Sequence, residues 1–176
     1  IMEYRIGNGF DVHKFGPGNS IMICGIKIPF DKGVIAHSDG DVGLHALVDA
    51  ILGALSSGDI GKHFPPTDTA WAGASSETFL NYAIELLKTK NGILVNADIT
   101  IIGERPKLGP YRDVMSKKLS EITGFPNHCF NIKATTTEGL GFTGRSEGIA
   151  AMASVSIKLP ENEEHMTTLH HSYPVS

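Results

Sequence analysis

Residues 38–55, SDGDVGLHALVDAILGAL, carry the clearest structural signal in the chain. Ser38 precedes Asp41 by three positions, a spacing typical of a capping box at the start of a helix. Apolar residues then recur with helical periodicity to about Leu55. The stretch therefore predicts a helix, and the segments on either side of it indicate which kind of fold that helix joins.

Short apolar segments around this helix predict strands, because they are rich in β-branched residues and bounded by Gly or Pro. The predicted strands cover residues 4–11, 21–28, 95–102, 130–134 and 148–159, with a loop around Gly33 after the second one. Two more helices are predicted, over residues 75–90 and from Pro110 to about residue 123, since proline suits a first helical turn. We therefore expect an α/β or α+β two-layer sandwich, in which helices pack on one face of a mixed sheet.

The chain is expected to form one domain over residues 1–159, followed by a polar, mobile tail over residues 160–176. The tail histidines, His165, His170 and His171, are assigned no role. Residues 58–74 are rich in Gly, Pro, Asp and Thr and predict a long loop. Loops of that length in a compact domain are usually functional or act as lids.

Composition excludes several classes of protein. Of 176 residues, 41% are hydrophobic and 19% charged, which is typical of a globular chain. The formal net charge of -4 gives no general attraction to nucleic acid or to an anionic membrane. A polyanionic ligand would therefore need local positive charge. No apolar run reaches the roughly 20 residues that span a bilayer, and the start does not resemble a signal peptide, so we expect a soluble, intracellular protein. Cys24 and Cys129 are predicted to be buried thiols.

A candidate metal site combines one strand end with the central helix. Asp11 and His13 lie two positions apart, so their side chains point to the same face of the strand, and His45 lies in the first half of the helix. Two imidazoles and a carboxylate that leave one position open are typical of catalytic zinc. Spacing alone leaves a turn cap, a surface residue and a core histidine as alternatives. Asp41 is interpreted as a helix cap. Whether Asp49 accepts a hydrogen bond from His45 and orients it stays open.

Two glycine-rich segments are suited to bind phosphate. Residues 135–139, TTTEG, end a strand with three hydroxyls, backbone amides and Glu138, whose carboxylate suits a magnesium ion. Residues 103–109, GERPKLG, form a loop before the Pro110 helix. The alternatives are a Thr-rich strand end and an exposed basic turn. Neither segment matches a P-loop or a dinucleotide-binding fingerprint.

Four segments together resemble one family: RIGNGFDVH (5–13), AHSDGD (36–41), DIGK (59–62) and KATTTEGLGFTGRSEG (133–148). It is the 2-C-methyl-D-erythritol 2,4-cyclodiphosphate synthase family of the non-mevalonate isoprenoid pathway, and the resemblance covers about residues 4–159. It implies a lyase that converts 4-diphosphocytidyl-2-C-methyl-D-erythritol 2-phosphate to the 2,4-cyclodiphosphate and CMP. It also implies a homotrimer with active sites between subunits, located in a bacterial cytoplasm or, if a transit peptide was removed, in a plastid stroma.

The resemblance assigns roles to individual residues. Asp11, His13 and His45 would hold one zinc ion per subunit. Glu138 would hold magnesium or manganese at the diphosphate. His37 and Thr136 would stabilise the transition state as catalytic residues. All of these residues except His45 would also contact substrate, together with Val12, Ser38, Asp59, Ile60, Gly61, Phe64, Pro65, Pro66, Thr67, Asp68, Gly103, Glu104, Arg105, Pro106, Lys107, Leu108, Gly109, Thr135, Thr137, Phe142 and Arg145. A further implied partner is an isoprenoid diphosphate in the central channel of the trimer.

Three positions depart from the usual family pattern. Asn8 stands where histidine is common, Pro66 where aspartate is common, and Gly109 where the residue is commonly bulkier. These changes leave the predicted zinc ligands intact and affect the fine contacts of the loop over residues 64–68. His63 is interpreted as loop surface.

Two other functions stay open at this stage. A zinc hydrolase would use a metal-bound hydroxide, although no H-E-x-x-H or deaminase signature is present. A non-catalytic trimer would bind isoprenoid diphosphates as a scaffold.

Overall fold

A five-stranded mixed sheet forms the centre of the protein, whose computed structural model describes residues 1–162. Of the predicted tail, only residues 160–162 are described. The tail histidines and the predicted mobility of the tail concern residues outside the described part. The strands are β1 (Met2–Gly16), β2 (Ser20–Ile23), β3 (Ile26–Pro29), β4 (Gly33–Ile35), β5 (Ile93–Ile102), β6 (Phe130–Thr135) and β7 (Gly148–Pro160). Their order in the large sheet is β4-β1-β7-β5-β6, and β2 and β3 form a separate hairpin. Among the described strands, only β5 and β6 are paired in parallel.

Helices form the second layer. They are α1 (Val42–Ala54), α2 (Ile60–His63), α3 (Ser76–Thr89), α4 (Arg112–Thr123) and α5 (Gly141–Gly144), with short 3₁₀ turns at Thr69–Trp71, Gly109–Tyr111 and Asn127–Cys129. α1 packs on β1 and β7, α3 packs against α1, and α4 packs beside β6. The core lies between α1 and the sheet, and Leu47, Ile51 and Ile99 are fully buried there. The predicted mixed sheet with packed helices is confirmed.

The N-cap of the central helix lies three positions later than the capping-box spacing predicted, at the residue that was itself interpreted as a helix cap. Asp41, rather than Ser38, is the N-cap, and its carboxylate accepts a hydrogen bond from the Leu44 N–H at 2.9 Å. The same carboxylate is fully buried and also accepts from the N–H groups of Cys24 and Gly25 at 2.8 and 2.7 Å. Burial raises the pKa of Asp41, and the three backbone donors oppose that shift. Asp41 thus ties the start of α1 to the neighbouring hairpin.

That hairpin corrects a second prediction, a single strand over residues 21–28. Cys24 and Gly25 both have positive φ, 50° and 79°, and make the two-residue turn between β2 and β3. A Gly at the second position suits such a turn, but cysteine at the first gives no sequence signal for it.

Other boundaries also differ from the predictions. Gly33 starts the edge strand β4 rather than lying in a loop, and the loop over residues 58–74 contains α2 and a 3₁₀ turn. Pro160, predicted to begin the tail, ends β7 and pairs with Met2. Both cysteines are buried, as predicted. Within residues 1–162, every helix is too short or too polar to cross a membrane.

Candidate metal centre and adjoining cleft

Asp11, His13 and His45 converge as predicted. The Oδ2 atom of Asp11 lies 3.0 Å from His13 Nε2 and 3.0 Å from His45 Nδ1, and the two histidine nitrogens lie 3.2 Å apart. Alternation along β1 brings Asp11 and His13 to one face, and His45 points down from α1 onto that face. In the described part of the chain, these residues make the one cluster of at least three His, Cys, Asp or Glu side chains suited to hold a metal ion.

Two glycines of β1 let the helix approach the strand closely enough for this geometry. A Cβ atom at Gly7 would lie 1.8 Å from the Ala50 carbonyl oxygen, and one at Gly9 would lie 2.0 Å from the Ala46 carbonyl oxygen. Real Cβ atoms do not approach oxygen so closely, so any other residue would displace α1. The RIGNGFDVH segment thus supplies both the ligands and the backbone contact that aligns them with His45.

The donor set fits a tetrahedral ion. Metal–ligand bonds of about 2.0–2.2 Å place tetrahedral donor atoms about 3.3 Å apart, close to the observed separations. Burial alone would raise the pKa of the Asp11 carboxyl, but hydrogen bonds and charge from His13 and His45 outweigh burial and lower it to about 2. Asp11 is therefore ionised near neutral pH and brings one negative charge to the cluster.

A cleft of about 530 Å³ opens beside the cluster. Its walls include His13 and His45 and many of the residues predicted to contact substrate, namely His37, Ser38, Ile60, Gly61, Phe64, Pro65, Pro66 and Asp68. Val12, Asp59 and Thr67 are among the predicted substrate contacts that do not line it. Val12 points from the opposite face of β1, Asp59 caps α2 by accepting from the Lys62 N–H, and Thr67 is an exposed loop residue.

Aromatic residues missed by the sequence analysis form the floor of the cleft. Trp71 and Phe79 line it, and Phe64 packs against both, with ring centroids 4.8 and 4.6 Å away. Phe79 lies on the buried face of α3. Trp71 carried no periodic signal, because it lies in an isolated 3₁₀ turn.

The loop that carries α2 is held at both ends. Asp49 accepts a hydrogen bond from the Ile60 N–H at 2.9 Å, which gives this residue a partner on α2. Burial raises the pKa of Asp49, and the Ile60 N–H opposes that shift. His63 is half-buried rather than free on the loop surface, since Nδ1 lies 2.7 Å from the Tyr82 hydroxyl and Nε2 lies 2.6 Å from the Ser57 carbonyl oxygen. These contacts fix the cleft wall relative to α1 and α3.

A second pocket, of about 350 Å³, lies at the carboxyl ends of β5 and β6. It is lined by the two predicted phosphate-binding segments and by three residues outside them, Pro110, Arg112 and Ala134. Its predicted lining residues are Gly103, Glu104, Pro106, Lys107, Leu108, Gly109, Thr135 and Thr136. Arg105 points away instead and forms an ion pair with Asp31 at 3.2 Å.

The glycine-rich turn after β6 presents Glu138 to solvent. Glu138 has a positive φ of 55°, and its N–H donates to the Thr136 hydroxyl at 3.2 Å. The turn is braced by Glu104, which accepts from the Thr137 N–H at 3.3 Å, and by the hydroxyls of Thr137 and Thr143, 2.8 Å apart. Phe142 and Arg145 follow in and just after α5, and both are exposed.

Comparison with known proteins identifies the family of the chain. The YgbB family matches residues 4–158. The chain belongs to the YgbB family. This confirms the resemblance to the cyclodiphosphate synthases that the four sequence segments indicated.

Individual members of the YgbB family are similar over most of the chain. "Bifunctional enzyme IspD/IspF" of Bradyrhizobium diazoefficiens is 59% identical over 162 residues, which are 92% of this chain and 41% of that protein. The chain thus spans about two fifths of the length of the curated relatives it matches.

Two solved structures have the same fold. The bifunctional IspDF of Campylobacter jejuni has a TM-score of 0.87 at 40% identity, covering 92% of this chain and 44% of that one. A CDP-bound 2C-methyl-D-erythritol-2,4-cyclodiphosphate synthase has a TM-score of 0.80 at 39% identity, covering 87% of this chain and 99% of that one.

Proposed function

We propose that the chain catalyses conversion of 4-diphosphocytidyl-2-C-methyl-D-erythritol 2-phosphate to 2-C-methyl-D-erythritol 2,4-cyclodiphosphate and CMP. One observation carries the proposal: a YgbB-family chain places Asp11, His13 and His45 together beside a cleft of about 530 Å³. The similarity to a CDP-bound synthase over 99% of that synthase chain supports the same reaction here.

The reaction is an intramolecular phosphoryl transfer. An oxygen of the 2-phosphate forms a bond to the β-phosphorus of the same molecule, and the bond from that phosphorus to the bridging oxygen breaks. The bridging oxygen keeps the electron pair and leaves on CMP. The attacking oxygen is already anionic, so the protein needs no nucleophile and no general base. It has to align the groups and neutralise their charge.

Metal ions held by the proposed ligands would neutralise the negative charge of the reacting phosphates. Asp11, His13 and His45 would hold zinc, and Glu138 would hold magnesium or manganese at the diphosphate. Bound divalent ions supply positive charge that the chain, with a net charge of -4, does not provide in general. His37 in the cleft and Thr136 in the second pocket would donate hydrogen bonds to oxygens that gain charge in the transition state.

A homotrimer with active sites between subunits is part of this proposal. The cleft and the second pocket share no lining residue, which suits a site built from two subunits. The sheet face away from α1 exposes Ile6, Phe10 and Met152 by 78%, 56% and 52% of their surface. Phe10 and Met152 are direct cross-strand partners, and exposed apolar patches of this kind mark interaction surfaces. Around a three-fold axis they would also line a channel suited to an isoprenoid diphosphate.

The location of the protein in a bacterial cytoplasm, or in a plastid stroma after removal of a transit peptide, stays a prediction. The relative from Bradyrhizobium diazoefficiens is bacterial, which supports the first location.

The reaction is tested by incubating the protein with the cytidine diphosphate substrate in ¹⁸O-labelled water and following products by ³¹P NMR and mass spectrometry. We expect CMP and a cyclic diphosphate without ¹⁸O. A linear product carrying ¹⁸O would instead establish hydrolysis and reject the cyclase. Binding of the substrate without any release of CMP would support the scaffold.

A further inference from the structure

Two polar residues outside the metal cluster contact the far edge of the His45 ring. The Ser76 Oγ atom lies 2.7 Å from His45 Nε2, the nitrogen that points away from Asp11 and His13. Ser76 opens α3 and is fully buried. Buried hydroxyl groups are nearly always hydrogen-bonded, so the partners of Ser76 indicate its role.

Asp39 fixes the direction of the hydrogen bond between Ser76 and His45. Its carboxylate accepts from the Ser76 hydroxyl and, at 3.0 Å, from the Ser76 N–H. An ionised carboxylate has no proton to give, so the single hydroxyl proton of Ser76 points to Asp39. The Ser76 oxygen then receives a hydrogen bond, and His45 Nε2 must be the donor. A neutral imidazole that carries its proton on Nε2 has its lone pair on Nδ1.

A second hydroxyl near the ring does not reverse this direction. Ser38 Oγ lies 3.2 Å from His45 Nε2 and accepts from the Gly40 N–H at 3.3 Å. It is the more distant of the two hydroxyls and can act as a second acceptor for the same Nε2–H. The shorter contact to Ser76 therefore sets the orientation.

We infer that Asp39 and Ser76 are positioning residues that hold the His45 ring with Nδ1 directed at the metal. The inference rests on the proposed metal role of Asp11, His13 and His45, and it deepens that role. Metal-ligating histidines depend on an acceptor for their second N–H, and loss of such a partner costs roughly 10–100-fold in metal affinity. Neither residue has a role among the ligands and substrate contacts described above.

The test is a zinc competition titration against a chromophoric chelator, on the full chain and its variants. Ser76→Ala and Asp39→Asn should each weaken zinc binding by about 10–100-fold. Asp39→Asn keeps the shape of the side chain while its amide can donate to Ser76 and reverse the hydrogen bonds. It therefore tests the inference even if Ser76→Ala folds poorly. Because Asp39 and Ser76 act through one hydrogen-bond chain, the double variant should bind zinc no more weakly than the weaker-binding single variant.

Ser75→Ala is the matched control, since Ser75 caps the same helix through the Glu77 N–H at 3.3 Å but does not contact His45. Its zinc affinity should stay unchanged. In zinc-loaded protein with ¹⁵N-labelled histidine, the His45 Nε2–H signal should be protected from exchange in the unsubstituted chain and in Ser75→Ala, and lost in Ser76→Ala. Equal zinc affinities in all variants, or additive effects of the two substitutions, would overturn the inference. Absence of zinc binding by the unsubstituted chain would overturn the metal centre itself and this inference with it.

Discussion

The Nδ1 atom of His45 lies 3.0 Å from the Oδ2 atom of Asp11, although 34 positions separate the two residues in sequence. The contact joins α1 to β1. It is possible because Gly7 and Gly9 let the helix backbone lie directly on the strand, at Ala50 and Ala46. The candidate metal centre therefore depends on the packing of two backbones as much as on its three side chains.

Replacing His45 by Ala should remove zinc from the protein and lower kcat by roughly 10²–10³-fold, because a bound divalent ion contributes several kcal/mol to charge stabilisation. Elemental analysis and CMP release measure the two effects. His128→Ala is a suitable control, since this exposed histidine lies in the 3₁₀ turn before β6. Full turnover by a zinc-free His45→Ala protein would contradict the site.

Replacing Gly9 by Ala should disturb the metal centre without touching a ligand. The added Cβ would lie 2.0 Å from the Ala46 carbonyl oxygen, so α1 has to move. We expect a loss of about 1–3 kcal/mol in the free energy of unfolding and weaker zinc binding. Gly53→Ala is the control, because its Cβ would meet the same strand at an ordinary 3.8 Å. It should leave zinc affinity unchanged, and denaturant titration compares the stabilities.

Replacing Asp49 by Ala should loosen the cleft wall while zinc stays bound. The Ile60 N–H would lose its acceptor at 2.9 Å. A hydrogen bond to a charged group contributes about 1.5–3 kcal/mol, so KM should rise by roughly tenfold or more. Asp49→Asn retains a carbonyl oxygen at this position and should show a smaller rise. An unchanged KM in Asp49→Ala would show that α2 needs no such anchor.

Replacing Asp41 by Ala should cost about 3 kcal/mol or more of stability. The substitution removes the cap of α1 and leaves the N–H groups of Cys24 and Gly25 without their acceptor. Asp59→Ala removes an exposed cap from the short helix α2 and should cost no more than about 1 kcal/mol. Both are measured by denaturant unfolding at one fixed chain concentration, because subunit assembly also stabilises the folded state.

Replacing Ile6 by Glu should disrupt the proposed trimer, because the side chain is 78% exposed on the open sheet face and would place a charge in the interface. Light scattering after gel filtration should give three chains per particle for the unsubstituted protein and fewer for the variant. Val114→Glu, an exposed apolar residue of α4, is the control and should remain trimeric. A monomeric unsubstituted protein would contradict the trimer.

Local patterns predicted the parts of the fold that depend on neighbouring residues. α1, α3 and the long strands β5 and β7 were found within a few residues of their observed ends, because helical periodicity and β-branched runs act over a short range. The β2–β3 hairpin was missed since its turn is stabilised by Asp41, which lies 16–17 positions away. His63 was misjudged for a similar reason, because its partners Ser57 and Tyr82 come from two other elements.

The sequence by itself determined the family, and it indicated the three candidate metal ligands and the two candidate phosphate-binding segments, because these depend on chemical identities at fixed positions along the chain. Tertiary structure decided how they meet. The approach of α1 to Gly7 and Gly9, the Asp39–Ser76 contact behind His45 and the separation of the cleft from the second pocket are contacts between distant segments. Packing of the whole chain creates these contacts, and no local pattern encodes them.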